Sequence, residues 1–319
     1  MNKISIILLK SLRKIYGIFY KPRLILLQSE QNPDIASKII YNHLTNSNPC
    51  MIARFGSTEM LTMCNYLGVH KQGKNILGYI KNNTFSWWWE ENTLNQIKQW
   101  SGFFPSKVNK VEQFCELMFE DIKQLDVLGS WLANETYFDN ELKNKKKIRL
   151  LLFDPFWANT PWTLALKEKK ILVVHPFAET IELQYKKRKF LFKNNLLPDF
   201  ELKTIKAVQS IAGAKTQFKD WFEALEYMKN EIDKIDYDIC LIGAGAYGFP
   251  LAAHVKRMGK KAFHIGGSLQ LLFGIRGKRW ESNYNSDFDY ASLVNKYWVK
   301  PQKNETPVGA VKVENACYW

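Results

Sequence analysis

The sequence has no pair of cysteines spaced to share a metal. Its five cysteines, Cys50, Cys64, Cys115, Cys240 and Cys317, are dispersed and odd in number, which argues against a disulfide framework or a zinc module and for reduced thiols in a reducing compartment. There is no internal repeat and no low-complexity linker. No apolar run is long enough to cross a bilayer. The stretch Ile4–Leu9 falls far short of the roughly 20 residues a span requires, and no small-residue cleavage site follows it, so a secretory signal is not expected. Acidic residues are scarce: 31 against 45 Lys and Arg, for a net charge of +14. The first 28 residues contain none at all.

What is present is a chain of 319 residues, 46% of them hydrophobic. That suffices for one large α/β unit with a sizeable core. Residues 1–30 read as a basic amphipathic segment and 31–319 as a single α/β domain. In the first segment Lys3, Lys10, Arg13, Lys14, Lys21 and Arg23 interleave with Ile4, Ile7, Leu8, Leu12, Ile15, Ile18 and Phe19 at near-helical spacing. Two readings stay open: a helix lying on an anionic membrane face, or an ordinary first helix packed on the domain.

Along the rest of the chain, Asn32–Asn46 reads as a helix introduced by Pro33 and Asp34. Cys50–Arg54 reads as a buried strand, Thr58–Tyr66 and Val111–Gln124 as helices. Strands are then expected at Asp126–Gly129, Ile148–Phe153, Lys170–His175, Lys206–Ile211, Tyr237–Gly243 and Lys261–Ile265. Helices are expected at Thr163–Glu168, Ala178–Lys187, Phe218–Ile232 and Gly248–Met258. Strands alternating with helices predict a Rossmann-like parallel sheet flanked by helices. Ligands of such sheets bind where the strands end.

Four strand ends carry residues suited to chemistry. Gly243–Ala–Gly245–Ala–Tyr247–Gly248 sits between a strand and a helix. Glycines there allow a tight turn and let the backbone approach a phosphate at a positive helix N-terminus. A dinucleotide enzyme should carry an acid at the end of the next strand; here that strand ends in His264, Gly266 and Gly267, which disfavours NAD. Arg54–Phe–Gly56–Ser57–Thr–Glu59 is a second turn: Ser57 suits an N-cap, Arg54 suits a diphosphate, and Glu59 suits a cation or a base. The third is His175, followed by Pro176 and Phe177. The fourth runs from His264 through Gly267, Ser268 and Gln270 to Arg276 and Arg279, a loop fit for an acceptor or a diphosphate. The carboxyl end, closing on Tyr318 and Trp319, reads as a tail tied to the body, with no chemistry assigned.

Taken together, Arg54–Glu59, Leu241–Leu251 and His264–Gly267 resemble the GT-D-type glycosyltransferase family, across roughly Cys50 to Arg279. That family has an arginine–phenylalanine–glycine–aspartate–x–glutamate turn, a later glycine-rich strand–turn–helix, and a following strand ending isoleucine–glycine–histidine. Here Ser57 replaces the aspartate and Gly267 the histidine. The HPF and GIRGKRW stretches resemble proteins of capsule and surface-polysaccharide clusters. The resemblance implies a donor that is a nucleotide-diphosphate sugar, a UDP-sugar first, and an acceptor that is a glycan or lipid-linked glycan. It implies donor contacts from Arg54, Gly56, Ser57, Gly243, Gly245, Tyr247, Gly248, Gly267, Gln270, Arg276 and Arg279. Glu59, His175 and His264 are the catalytic candidates. A Mn2+ or Mg2+ ion would rest on Glu59 alone, and one carboxylate makes a poor site unless donor phosphates complete the shell. The expected place is the cytoplasm, peripheral on the inner face of the plasma membrane. The rival readings are an S-adenosylmethionine methyltransferase and a non-catalytic scaffold. No nucleic-acid module is visible, so no nucleic acid is expected as partner.

Overall fold

The computed structural model describes residues 2–20, 26–70, 73–193, 195–281, 285–307, 309–312 and 316–319. Lys21 and Arg23 of the basic segment, and residues 308 and 313–315 near the carboxyl end, lie outside them. Seven strands form one all-parallel sheet: β1 (Cys50–Ala53), β2 (Val127–Ser130), β3 (Lys146–Arg149), β4 (Lys170–His175), β5 (Glu201–Lys206), β6 (Ile239–Ile242) and β7 (Lys261–His264). Their order is β3-β2-β1-β7-β6-β4-β5. The helices of two turns or more are α1 (Lys3–Phe19), α2 (Pro33–Thr45), α3 (Ser57–His70), α4 (Glu91–Trp100), α5 (Val108–Ile122), α6 (Ala178–Tyr185), α7 (Trp221–Asp233) and α8 (Gly248–Arg257).

β1 and β6 are fully buried apolar runs and β4 is buried from Ile171 onward, as a sheet covered on both faces demands. Alternation splits them between two cores. Met51, Ala53, Leu172, Val174, Cys240 and Ile242 face a core built with α3, α5, α7 and α8. Cys50, Ile52, Ile171, Val173, Ile239, Leu241 and Phe263 face a second core built with α2, α6, the segment 150–166 and the carboxyl-terminal residues. Crossovers toward the β3 edge use the first face and those toward the β5 edge the second, as a single crossover hand requires. The connections leaving β4 and β6 therefore part to opposite faces, and so do those leaving β1 and β7. Both partings open crevices at the carboxyl ends of the strands.

Local chemistry sets the helix starts. Asn32 caps α2 by accepting from the Asp34 and Ile35 amides (2.9 and 3.1 Å), with Pro33 in the first turn. Asp220 caps α7 by accepting from the Glu223 amide (2.9 Å).

Several expectations are corrected. The strand expected at Lys206–Ile211 is instead Glu201–Lys206, a half-exposed edge strand whose Glu201, Lys203 and Lys206 hide its period. The strand expected at Ile148–Phe153 ends at Arg149 and continues as a 3-10 turn, Leu150–Phe153. The helix expected at Thr163–Glu168 is a 3-10 turn, Trp162–Leu166. Ser57 is not the cap of α3. The Met60 amide donates to the Gly56 carbonyl (3.0 Å), so Gly56 caps the helix and Ser57 is its first residue.

Candidate functional site

An open cleft crosses the carboxyl ends of β1, β7, β6 and β4, the place where ligands of parallel sheets bind. It is lined by Arg54, Gly56, Ser57, Glu59, His175, Gly243, Gly245, Tyr247, His264, Gly267, Gln270 and Arg279. The sheet thus gathers into one cavity four turns spread over more than two hundred residues. Gly248 lies one step behind the wall. Arg276 is not part of it: its backbone pairs with Val299 and its side chain lies 3.7 Å from Glu281.

The glycine turn after β6 divides its work. Gly245 takes φ +53, open to glycine at little cost. A Cβ on Gly243 would fall 2.5 Å from the His175 ring and 2.8 Å from the Gly266 carbonyl, and one on Gly248 would strike the His264 ring. Two of the three glycines therefore make room for histidines. The His264 ring also stands at the strand end where a dinucleotide enzyme keeps its ribose-binding acid. The Ala244, Gly245 and Ala246 amides find no acceptor among the described residues, which leaves them as donors beside the cleft at the start of α8.

The two histidines are buried in opposite tautomers. His175 Nδ1 accepts from the Phe177 amide (3.0 Å), which leaves the proton on Nε2. His264 Nδ1 lies 3.2 Å from the Ile242 carbonyl and must donate, which leaves a lone pair on Nε2. Burial pushes both pKa values down to about 3, and the Arg54 charge adds to the effect on His264. Each ring is neutral at physiological pH. His175 is a hydrogen-bond donor and His264 an acceptor, a pair better suited to holding hydroxyls than to taking a proton.

A testable consequence follows for pH. Because the folded-state values lie below the ordinary 6.5, the unfolded chain binds more protons between pH 6.5 and about 3. The stability this contributes is complete above pH 6.5 and is lost as pH falls toward 3. Asp121 and Asp154, raised to about 6 by burial, act the other way, stabilising at low pH and less so as pH rises through 6. The imidazole NMR signals of His175 and His264 are expected not to titrate between pH 5 and 8. A midpoint near 6.5 for either would contradict the buried neutral assignment.

Arg54 leaves β1 beneath Trp131, its guanidinium 5.0 Å from the ring centroid. Trp131 is fixed by its Nε1, which donates to the Phe55 carbonyl (3.0 Å). Its loop is held by buried Glu135, which accepts from the Trp131 and Leu132 amides and from Ser130 Oγ. Glu59 folds back over Gly56, where any Cβ would collide with the carboxylate. It is the sole acid among the lining residues. Opposite, Arg279 Nη1 donates to Tyr318 Oη (3.1 Å), and Tyr318 packs against Gly267. Gln270 is fully buried. Its amide donates to the Ile275 and Tyr318 carbonyls (3.2 and 3.1 Å), and its Oε1 is left without a partner. Tyr247 stacks on Trp221 (4.9 Å) and shares a hydrogen bond with Ser210 Oγ (2.9 Å).

Trp100, Trp131, Ser210, Tyr318 and Trp319 line the cleft although none was expected there. For the tail the signal existed, since a chain that closes on two aromatics wants to bury them. Trp100 and Trp131 had none, because each reads as ordinary aromatic packing. Buried Glu305 accepts from the Glu179 and Thr180 amides (2.9 and 3.3 Å) and so occupies the N-terminus of α6. An incoming anion is left with the starts of α3 and α8.

The polar groups of the cleft fit a phosphorylated, hydroxyl-bearing ligand: two arginines, three open amides and the His175 Nε2–H donate, while His264 Nε2 and the orphaned Gln270 Oε1 accept. They do not fit a divalent cation held by protein alone. Among the described residues no group of three or more His, Cys, Asp and Glu side chains could hold a metal. No family model matches the chain, and no curated protein or solved structure matches it.

Proposed function

We propose that this protein is a glycosyltransferase that moves a sugar from a nucleotide-diphosphate donor to a glycan or lipid-linked glycan, in the building of a capsular or surface polysaccharide on the cytoplasmic side of the plasma membrane. The observation that carries the reading is the cleft's pairing of Arg54 and Arg279 with the open amides of the Gly243–Gly248 turn. In such a reaction an acceptor oxygen attacks the anomeric carbon, the bond to the diphosphate oxygen breaks, and the nucleoside diphosphate leaves with the electron pair. The arginines and amides stabilise the negative charge that develops there. Glu59 takes the acceptor's proton, and His175 and His264 hold sugar hydroxyls. A divalent metal would come bound to the donor phosphates, and Glu59 would then be its one carboxylate ligand among the lining residues in place of its role as base. The His264 ring at the end of β7 supports this reading over NAD or S-adenosylmethionine chemistry, both of which want an acid there.

A thermal-shift series with UDP, GDP, CDP and CMP sugars, NAD and S-adenosylmethionine, each with and without manganese, tests the proposal. One nucleotide-diphosphate sugar at a hundred times its dissociation constant should stabilise the protein by about 2.7 kcal/mol. A shift with NAD or S-adenosylmethionine alone would overturn the reading, and silence from every nucleotide would favour a non-catalytic scaffold.

A further inference from the structure

Helix α1 meets the body along a narrow strip. Leu9 is its one buried residue, Arg13 lies over the Tyr79 ring (4.5 Å), and Lys10 pairs with Glu90 at 2.5 Å. These contacts seat the helix on the short helix Ile76–Ile80 and on the residue before α4. At 100° per residue, Leu9 and Arg13 fix the inward side. Ile4, Ile7, Leu8, Ile15 and Ile18 then fall on the outward side, and they are 78%, 64%, 59%, 52% and 69% exposed. Phe19, at 75%, extends the stripe. The short helix beneath adds Ile76 and Leu77, 55% and 69% exposed. Lys3, Lys10 and Lys14 border the stripe, and exposed Lys74 and Lys81 flank the short helix. Neither helix contains an acid.

We infer that this face docks the folded protein on an anionic lipid bilayer, with α1 lying in the interface while it stays attached to the body. The sequence admits either a membrane helix or a packed one. The structure lets α1 be both, because one narrow side suffices for packing and the wide apolar side remains turned out. An apolar stripe of this size is unusual on a free monomer surface, and a stripe bordered by lysines is what an interfacial helix presents to acidic headgroups. A second copy is the poorer occupant. In a twofold interface the patch meets itself, which would set lysines against lysines with no acid on either helix to answer them.

Flotation of the full chain with vesicles tests the inference without turnover, so its outcome is separate from that of the transferase reading. The protein should float with phosphatidylcholine vesicles carrying about a quarter phosphatidylglycerol, and at least about tenfold less with phosphatidylcholine alone. Ile7→Asp/Ile15→Asp/Ile18→Asp should leave the protein in solution with an unchanged thermal midpoint, since all three side chains are exposed. Lys3→Gln/Lys14→Gln should weaken binding at least about tenfold and blunt its salt dependence. The inference fails if the parent chain does not float with the anionic vesicles, or if the triple variant floats equally well. It fails too if the parent is a dimer that ignores vesicles and the triple variant a monomer, because the stripe would then be a protein seam.

Discussion

Arg54→Ala is expected to lower kcat/KM for the nucleotide-sugar donor by about 10²- to 10³-fold, with the thermal midpoint within a few degrees of the parent. The side chain stands at the carboxyl end of β1, inside the cleft, where charge from the departing diphosphate would collect. Its contact with the Trp131 ring contributes on the order of 0.5–1 kcal/mol at a partly exposed site, so the fold should tolerate its loss. Trp131 itself keeps the Phe55 hydrogen bond and the Glu135 clamp. Arg54→Lys should fall between the two, because an ammonium keeps the charge but lacks the planar fork that engages two phosphate oxygens at once. Turnover by Arg54→Ala within about threefold of the parent, far inside the expected loss, would remove this arginine from the reaction.

Gly248→Ala is expected to destabilise the protein by about 1–3 kcal/mol, read from the midpoint of a urea titration. Helix propensity alone predicts the opposite sign. Gly248 opens α8 with φ −61 and ψ −41, a conformation alanine adopts freely, and glycine costs up to about 1 kcal/mol relative to alanine in a helix. The steric term decides, because the new methyl would enter the His264 ring. That ring is 2% exposed and tied to the Ile242 carbonyl, so it has nowhere to swing. Adding His264→Ala to Gly248→Ala should recover part of the loss, and the coupling in that double-mutant cycle measures the contact directly. A Gly248→Ala variant as stable as the parent would mean that the ring is more mobile than its burial implies.

Much of the fold is legible in the chain. The runs CMIA, ILVV and ICLI are apolar throughout, and only a strand covered on both faces needs that. Helices α2, α6, α7 and α8 fall within a few residues of the expected spans, since their 3.6-residue periods, and for α2 and α7 their caps, are local. Strand β5 was misplaced for the converse reason. An edge strand wets one side, and its lysines read as a loop while the apolar residues after it, which lead over the cleft, read as the strand. Of the cleft's lining, Arg54, Glu59, His175, His264 and the glycine turn up to Tyr247 were legible because they follow apolar strands. Arg276, expected beside them, lies outside the cleft's lining, because charge in a glycine-rich loop does not say which way the side chain points.

By itself, then, the sequence determines most of the secondary elements, the parallel sheet and the set of turns that can carry chemistry, because each is written in spacing a few residues long. Tertiary structure alone decides that β7 lies between β1 and β6, which brings Arg54 and His264 into one cleft. It decides that Gly243 and Gly248 serve histidine rings and that Tyr318 and Trp319 close the wall. It decides, too, which side of α1 faces water. These are matters of which distant segments become neighbours. Strand order and docking minimise exposed apolar surface over the whole chain at once, and no window of sequence contains that sum.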